Sequence, residues 1–490
     1  MSREALEHAA IAAELSGDLR GAVTARREAV RLDPQSAVAR MALARVLTRA
    51  NEGRAAAQAY VEALQRGANP AEAHLQLGSL YLGMAKHGQA LQHLKKALAA
   101  APLDAQVLYK TGLAMHRLRR FGEAVDYLQR ALRQWPDTPE VHFNLGLARF
   151  EASDPAGALQ ALAESRALKR GRPWTGDWVA PLSQESAPEF PAAEMAVNDV
   201  KLQHDLEQIE YLMELGRLPE TWRKVAEEYR ALLQEVRGMT GGDVVVPFNV
   251  HRYPLVARTY KRPLFVAADT AGAAGRAVLN PRLDVKAIEN AYLKARPNLV
   301  VVDDLLTADA LEDLRRFCRE STVWNNIQSG YLGAYFFDGF ACGPLLRLAK
   351  DLLDRFPRVI RGLPLQMLWG YKYDHQLQGI GVHADAAAVN VNFWITEDAA
   401  NLEPECGGLR VYKHAAPPDW DFDRFNRDPA EIMRYLDAVG SESIRVPHRA
   451  NRAVIFDSDL FHATDTLRFR EGYRNRRINI TLLYGLRSGD

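Results

Sequence analysis

The sequence predicts a multidomain chain: an all-helical N-terminal superhelix built of repeats, then a C-terminal α+β domain whose short strands pair into a sandwich or barrel with flanking helices. Three features of the sequence point to this. A 34-residue period recurs five times without a gap between residues 3 and 172. A stretch rich in Pro, Ser, Gly and Trp, with no helical period, follows at 173–197. From residue 296 the pattern turns to short β-type runs separated by Gly, Pro and Asp. A chain of 490 residues has room for two or three domains.

The repeats run 3–36, 37–70, 71–104, 105–138 and 139–172. The third shows the pattern most fully, with Leu77-Gly78, Tyr81, Ala90, Leu94, Ala97 and Pro102. The fourth places Gly112, Met115, Ala124, Leu128, Ala131 and Pro136 in the same phase. The fifth keeps Leu145-Gly146, Ala158 and Leu162; the second keeps Leu43-Ala44, Leu47, Ala56, Tyr60 and Ala63; the first keeps Ala22, Ala29 and Pro34. Each repeat is expected to hold two amphipathic helices. Gly or Ala sits where they cross closely, and large apolar residues fill the space between neighbours. Proline ends the second helix because it has no N–H to donate and clashes with the preceding turn. This pattern resembles the tetratricopeptide repeat, over about a third of the chain. The resemblance implies a stacked superhelix that binds a protein or peptide segment in its groove.

Residues 173–197 read as an extended linker, with Trp174 and Trp178 as candidate anchors. Residues 198–295 read as a helical and connecting region. Leu202, Leu206, Ile209, Leu212 and Met213 fall on one helical face, and Leu218-Pro219 breaks the run before Trp222 to Val236 resumes it. His204-Asp205 and His251 read as ordinary packing or surface residues.

In the last part, 296–490, LVVVDDLL (299–306) is expected to be a short buried strand. Thr307 should cap a helix reaching Arg319, and Leu345 to Phe356 should form another. Strands are expected at 365–373, 389–396, 408–412, 452–457 and 477–484. Two sites on these elements stand out: His383-Ala384-Asp385, just before VNVNFWIT, and His462, 79 residues on, at the end of RAVIFDSDLFH. Side chains alternate along an extended segment, so His383 and Asp385 share a face. A distal His completes a two-His, one-carboxylate triad, a donor set that suits Fe(II) with open positions for co-substrate and O2. His448 and His414 are poorer third ligands, since one follows Pro447 in a turn and the other precedes Ala-Ala-Pro-Pro.

This arrangement resembles the 2-oxoglutarate- and Fe(II)-dependent oxygenases of the prolyl-hydroxylase-like branch, across about residues 296–490. The resemblance implies a double-stranded β-helix (jelly-roll) in which His383, Asp385 and His462 hold the metal as the catalytic centre. It implies that Arg477 receives the distal carboxylate of 2-oxoglutarate, with Thr481, four residues on, adding a hydroxyl on the same strand face. Tyr373, ten residues before His383, falls where several members place a tyrosine against the co-substrate. Asn390, Asn392 and Trp394 share a strand face, and Asn392 is expected to face the cavity, with Val391, Phe393 and Ile395 packed outward against helices. The segment from His462 to Arg477 is longer than in many relatives, so Arg474 and Arg476 compete with Arg477. Asp385 favours hydroxylation over halogenation, because related halogenases lack the carboxylate. The implied activity is a dioxygenase using Fe(II), 2-oxoglutarate and O2, with ascorbate as a stimulant. Its substrate is expected to be a protein or peptide side chain, prolyl included. A small metabolite or natural-product intermediate, and a repeat scaffold with an inactive barrel, stay open as alternatives.

The composition sets further bounds. Cys318, Cys342 and Cys406 are too few and scattered for a disulfide framework and contain no CxxC pair, which fits a reducing cytoplasm. No apolar run reaches the roughly 20 residues needed to cross a bilayer, and the N-terminus lacks a signal core. Residues 1–172 hold 24 Lys and Arg against 17 Asp and Glu, net +7, and the remainder is net −6. These charges are interspersed, and no basic stripe alternates with aromatics, so a nucleic-acid partner is not expected. The sequence leaves oligomeric state open.

Overall fold

The computed structural model describes residues 2–173, 195–240, 244–269, 276–360, 362–377 and 380–487. Trp174, Trp178 and most of the expected linker lie outside these residues. Two compact units emerge, Met1–Ala161 and Leu162–Asp490.

The N-terminal part contains ten helices among the described residues. They pair as α1 (Arg3–Ser16) and α2 (Leu19–Leu32), α3 (Ala37–Arg49) and α4 (Gly53–Gln65), α5 (Pro70–Gly83) and α6 (His87–Ala100), α7 (Ala105–Arg117) and α8 (Phe121–Leu132), α9 (Pro139–Glu151) and α10 (Pro155–Arg170). Side-chain oxygens of Ser2, Asp18, Ser36, Asn69 and Asp104 accept from N–H groups in the first turns of their helices. Small residues sit at the crossings for a steric reason. A Cβ on Gly78 would come within 2.5 Å of Leu94, and one on Gly112 within 2.8 Å of Leu128.

The turn inside each repeat is equally periodic. Gly17, Asn51, Ala85, Arg119 and Ser153, spaced by 34, all have φ between 55° and 80°. In the third repeat Lys86 N donates to Tyr81 O at 2.8 Å and Ala85 N to Leu82 O at 3.1 Å, the paired bonds of a left-handed helix C-cap. The second, fourth and fifth repeats make the same bond from Glu52, Arg120 and Asp154. Apolar residues of neighbouring repeats merge into continuous cores around Ala56, Tyr60 and Leu77, and around Leu94, Leu108 and Leu128.

The second unit takes up the end of α10. Beyond it come β1 (Ala196–Val197), α11 (Asp199–Glu214), α12 (Arg223–Thr240), β2 (Val246–Pro247), α13 (Pro254–Thr259) and α14 (Val285–Lys294). The α11 face read from the sequence packs with α12 around Leu206, Ile209, Trp222 and Tyr229. The remaining elements are β3 (Leu299–Val302), α15 (Ala308–Glu320), β4 (Asn326–Gln328), β5 (Tyr331–Tyr335), α16 (Gly343–Arg355), β6 (Leu365–Tyr373), β7 (Gln376–Leu377), β8 (Val389–Trp394), β9 (Leu409–Ala415), α17 (Pro429–Ala438), β10 (Ser443–Val446), β11 (Ala453–Asp457), β12 (Leu460–Thr464), β13 (Leu467–Arg468) and β14 (Ile478–Tyr484). Thr307 caps α15 by accepting from Ala310 N.

Seven strands form one antiparallel sheet in the order β3-β11-β8-β14-β6-β5-β4, and three form a second, β10-β9-β12. Trp394, Val454 and Phe456 of the larger sheet pack against Leu409, Val411, Val446 and Leu460 of the smaller, so the two sheets share an apolar layer. The outer face of the larger sheet meets helices: Gly370 leaves room for Phe340, Lys372 Nζ donates to Cys318 O at the end of α15, and Tyr484 OH donates to Ala349 O of α16.

One expectation needs correction. The strand at 299–306 is not buried. It stops at Val302, lies at the sheet edge and leaves Val301 40% exposed, because only β11 pairs with it. The strand expected at 452–457 corresponds to β11. The chain turns at Ser458-Asp459 and crosses to the other sheet, so His462 lies inside β12.

Candidate active site

The geometry begins with a strand pairing. His383 and His462 face one another across an antiparallel bridge, with His383 N donating to His462 O at 3.0 Å and His462 N to His383 O at 2.8 Å. This brings their rings to 4.5 Å between centroids. Asp385 is anchored by its own N–H to Ser458 O at 3.2 Å, two residues along. Its carboxylate stands 3.4 Å from His462 Nε2 and 4.0 Å from His383 Nε2. One ligand atom from each of the three residues lies within 4.8 Å of the others, the spacing a bound cation requires.

Hydrogen bonds set the tautomers. His383 Nδ1 lies 2.9 Å from Gly381 O, and His462 Nδ1 lies 3.0 Å from Leu460 O. A carbonyl only accepts, so each Nδ1 carries the proton and each Nε2 presents its lone pair inward, as a metal-ligating imidazole must. Burial, and then the neighbouring His462, push the His383 pKa below its usual value, which keeps the ring neutral. Burial pushes the Asp385 carboxyl up. The polar groups around it, the two imidazoles and a 2.8 Å bond donated by Asn390 Nδ2, outweigh this and hold the carboxyl below its usual value. Two imidazole nitrogens and one carboxylate make the donor set that fits a divalent transition metal.

A polar ribbon runs from this point along the inner face of β8 and β14. Thr481 pairs with Asn392, and Asn392 Nδ2 donates to Thr481 Oγ1 at 3.0 Å. Asn479 Nδ2 reaches the same oxygen at 3.4 Å, and its Oδ1 accepts from Arg477 Nη1 at 3.2 Å. Arg477 is 1% exposed. Its Nε donates to Gly407 O at 2.5 Å and its Nη2 to Gly408 O at 3.1 Å. Tyr373 lies beneath it, with the guanidinium carbon 4.4 Å from the ring centroid and the hydroxyl 3.2 Å from Thr464 Oγ1. Burial lowers the Arg477 pKa, yet a guanidinium stays charged.

Among the described residues Arg477 makes no ion pair, and its neighbours leave bonding capacity over. Thr481 Oγ1 receives two bonds and keeps its own proton to donate. Asn392 Oδ1, Trp394 Nε1 and both ring nitrogens of His448 are buried without a hydrogen-bond partner. The Asp465 carboxylate acts on Arg477 through space but is paired with Arg410 and Arg445, and a buried cation without an ion-pair partner of its own costs free energy unless an anion meets it, so a dicarboxylate fits these residues. The competing arginines are engaged elsewhere. Arg476 points to the outer face and pairs with Glu207 at 2.8 Å and Asp374 at 3.3 Å, while Arg474 pairs with Glu214 at 3.3 Å.

The structure therefore gathers His383, Asp385 and His462 at one point, and Tyr373, Asn392, Arg477 and Thr481 along one interior face. Asn390 and Asn479 were missed as supports. The period-two pattern that singled out Asn392 and Thr481 also contained them. His204 is fully buried, with Nδ1 3.0 Å from Asp205, and packs against Trp324 and Tyr473 as a core residue. The three cysteines are free. Among the described residues no helix is long and apolar enough to cross a membrane.

Beside the triad opens a cleft of about 660 Å³, bordered by His383, Asp385 and aromatic side chains of β5 and β6.

Comparison with known proteins bears on the first unit. The tetratricopeptide repeat family matches at residues 75–139 and 117–173. Similar solved structures include a crystal structure of the MamA protein, at 16% identity, 39% of this chain, 98% of that chain and TM-score 0.33. MamA from Desulfovibrio magneticus RS-1 matches at 20% identity, 34% and 94% coverage and TM-score 0.33. YrrB, described as a TPR protein with an unusual peptide-binding site, matches at 19%, 33% and 82% and TM-score 0.30. No curated protein matches the chain. From the matched residues and the ten paired helices, the N-terminal part of this chain is an array of tetratricopeptide repeats, a type of array that commonly binds proteins or peptides.

Proposed function

We propose that this chain is a 2-oxoglutarate- and Fe(II)-dependent dioxygenase that hydroxylates a protein or peptide side chain, with the repeats recruiting the substrate or a partner. The observation that carries it is the convergence of two inward-facing Nε2 atoms and the Asp385 carboxylate, with Arg477 buried immediately before β14 and in no ion pair among the described residues. The two facing sheets are then the halves of a double-stranded β-helix. Fe(II) bound with 2-oxoglutarate and O2 would supply the oxidising chemistry, with succinate and CO2 as co-products.

The protein's own residues do the rest. Gly381 and Leu460 carbonyls orient the two imidazoles, and Asn390 fixes the Asp385 oxygen nearest His462. The Arg477 fork and the Thr481 hydroxyl would receive one carboxylate end to end, and Tyr373 would wall the pocket. Arg477, Tyr373 and Thr481 are all buried, which strengthens these contacts.

The test is succinate formation from 2-oxoglutarate by Fe(II)-loaded protein exposed to O2, wild type against His383→Ala. Succinate from wild type and none from the variant supports the oxygenase. No succinate, together with no calorimetric binding of Fe(II) or 2-oxoglutarate, removes it and leaves an interaction scaffold built on the repeats.

A further inference from the structure

The cleft beside His383 and Asp385 has an unusual lining. Tyr331 and Tyr335 of β5 and Trp369 and Tyr371 of β6 form its wall, and Phe337 and Phe422 stand at its rim, 41% and 42% exposed. Large aromatics left in solvent next to an interior cleft mark a surface that something covers. The wall is continuous. Tyr331 meets Tyr371 at 4.9 Å, Trp369 meets Tyr371 at 6.0 Å, and Tyr335 stacks on Phe337 at 5.4 Å with the rings 11° from parallel.

Charge is nearly missing from this lining. Apart from the triad members, Arg427 is the only Lys, Arg, Asp or Glu among the described lining residues. Its side chain is 69% exposed and already paired with Asp423 at 2.9 Å. A charged metabolite entering here would leave water without a buried counter-charge, a costly transfer. Gln328, Gln366 and Asn426 supply neutral amides instead, groups that bond equally to a peptide N–H or C=O.

The cleft also shares part of its lining with a second one. Tyr335 and Phe337 also border a second groove of about 370 Å³, where Arg170, Lys261 and Asp338 bring the first charges. Arg170 and Asp338 there form a two-point ion pair at 2.9 and 3.0 Å. β4, at the sheet edge, offers Gln328 to the first hollow and Asn326 to the second. A compact small molecule fills one hollow. A chain can lie in both.

Resting on the oxygenase reading above, we propose that the substrate is an extended polypeptide segment, uncharged on both sides of the reacting residue. Its neighbouring residues lie along the Tyr331–Tyr371–Trp369 wall and cross the Tyr335–Phe337 ridge into the second groove.

The test uses the full-length protein and three pools of fluorescein-labelled, N-acetylated and C-amidated 12-residue peptides. The first pool is randomised over neutral residues, the second places a Glu in its centre, and the third a Lys. Binding is read by fluorescence anisotropy in buffer without Fe(II), so it does not depend on turnover. Expected are binding of the neutral pool about tenfold tighter than either charged pool, and a loss of about tenfold in Phe337→Ala and Phe422→Ala. Both side chains are exposed, so these variants keep the fold. Equal binding of all pools, tighter binding of a charged pool, or binding unchanged in both variants overturns the proposal; in the last case the peptides sit elsewhere on the chain. The succinate assay reads the oxygenase reading separately. Succinate with indifferent peptide binding sinks only the substrate class, and selective peptide binding without succinate sinks only the chemistry.

Discussion

Replacing Arg477 with Met removes the guanidinium and keeps an unbranched apolar side chain in a site that is 1% exposed. Three N–H groups of Arg477 are engaged by Gly407 O, Gly408 O and Asn479 Oδ1. Of the five that arginine carries, two remain for a carboxylate. Removing one partner of a buried ion pair costs about 3–5 kcal/mol. At about 1.4 kcal/mol per tenfold, that is a loss of roughly two to nearly four orders of magnitude in 2-oxoglutarate affinity. The assay is calorimetric titration of 2-oxoglutarate into Mn(II)-loaded protein, which binds without turnover. Arg476→Met is the control. That side chain pairs with Glu207 and Asp374 on the other face, so its loss should lower the denaturation midpoint and leave 2-oxoglutarate affinity in place. A folded Arg477→Met protein that binds 2-oxoglutarate within about tenfold of wild type would refute the assignment of the carboxylate to this residue.

Three further outcomes are expected. His462→Phe should abolish divalent-metal binding, read by equilibrium dialysis, while retaining the fold, because β12 is held by backbone pairing with β9. Burial pushes the His448 pKa down to about 3, so the ring is neutral in the folded chain and takes a proton on unfolding below about pH 6.5. Its contribution is complete above that value and is lost as pH falls towards about 3, by up to about 1.4 kcal/mol per pH unit; urea midpoints from pH 7 to 4 should therefore fall less steeply in His448→Gln than in wild type, and equal slopes would contradict this. Ala85→Gly should stabilise the repeats by about 1 kcal/mol in chemical denaturation, because Ala85 holds a φ of 55° that glycine adopts without the Cβ penalty; a destabilised variant would show that the turn is not strained.

The sequence was informative wherever the deciding interaction is local or periodic. The 34-residue repeat is visible because every copy must bury the same small and large residues against its neighbour, as Gly78 against Leu94 and Gly112 against Leu128 show. Helix starts such as Thr307 follow from one side chain meeting one nearby N–H. Strand faces follow from alternation, which grouped Asn392 with Asn390 and Arg477 with Thr481. The His-x-Asp tripeptide held two triad members at a fixed offset for the same reason.

Tertiary structure decided what depends on which strands become neighbours. Spacing cannot say that the chain turns at Ser458-Asp459 to carry His462 onto the second sheet, because that turn is settled by how the two sheets pack. Three arginines within four residues look alike in the sequence. Only the environment separates Arg476, drawn outward by Glu207 and Asp374, from Arg477, enclosed with carbonyls and an aromatic ring. The edge position of β3 and the aromatic cleft between β5, β6 and the triad likewise arise from pairings between distant segments. Local order is written in neighbours along the chain. A site is written in the burial and charge that remote segments impose on one another, and those exist only once the sheets have closed.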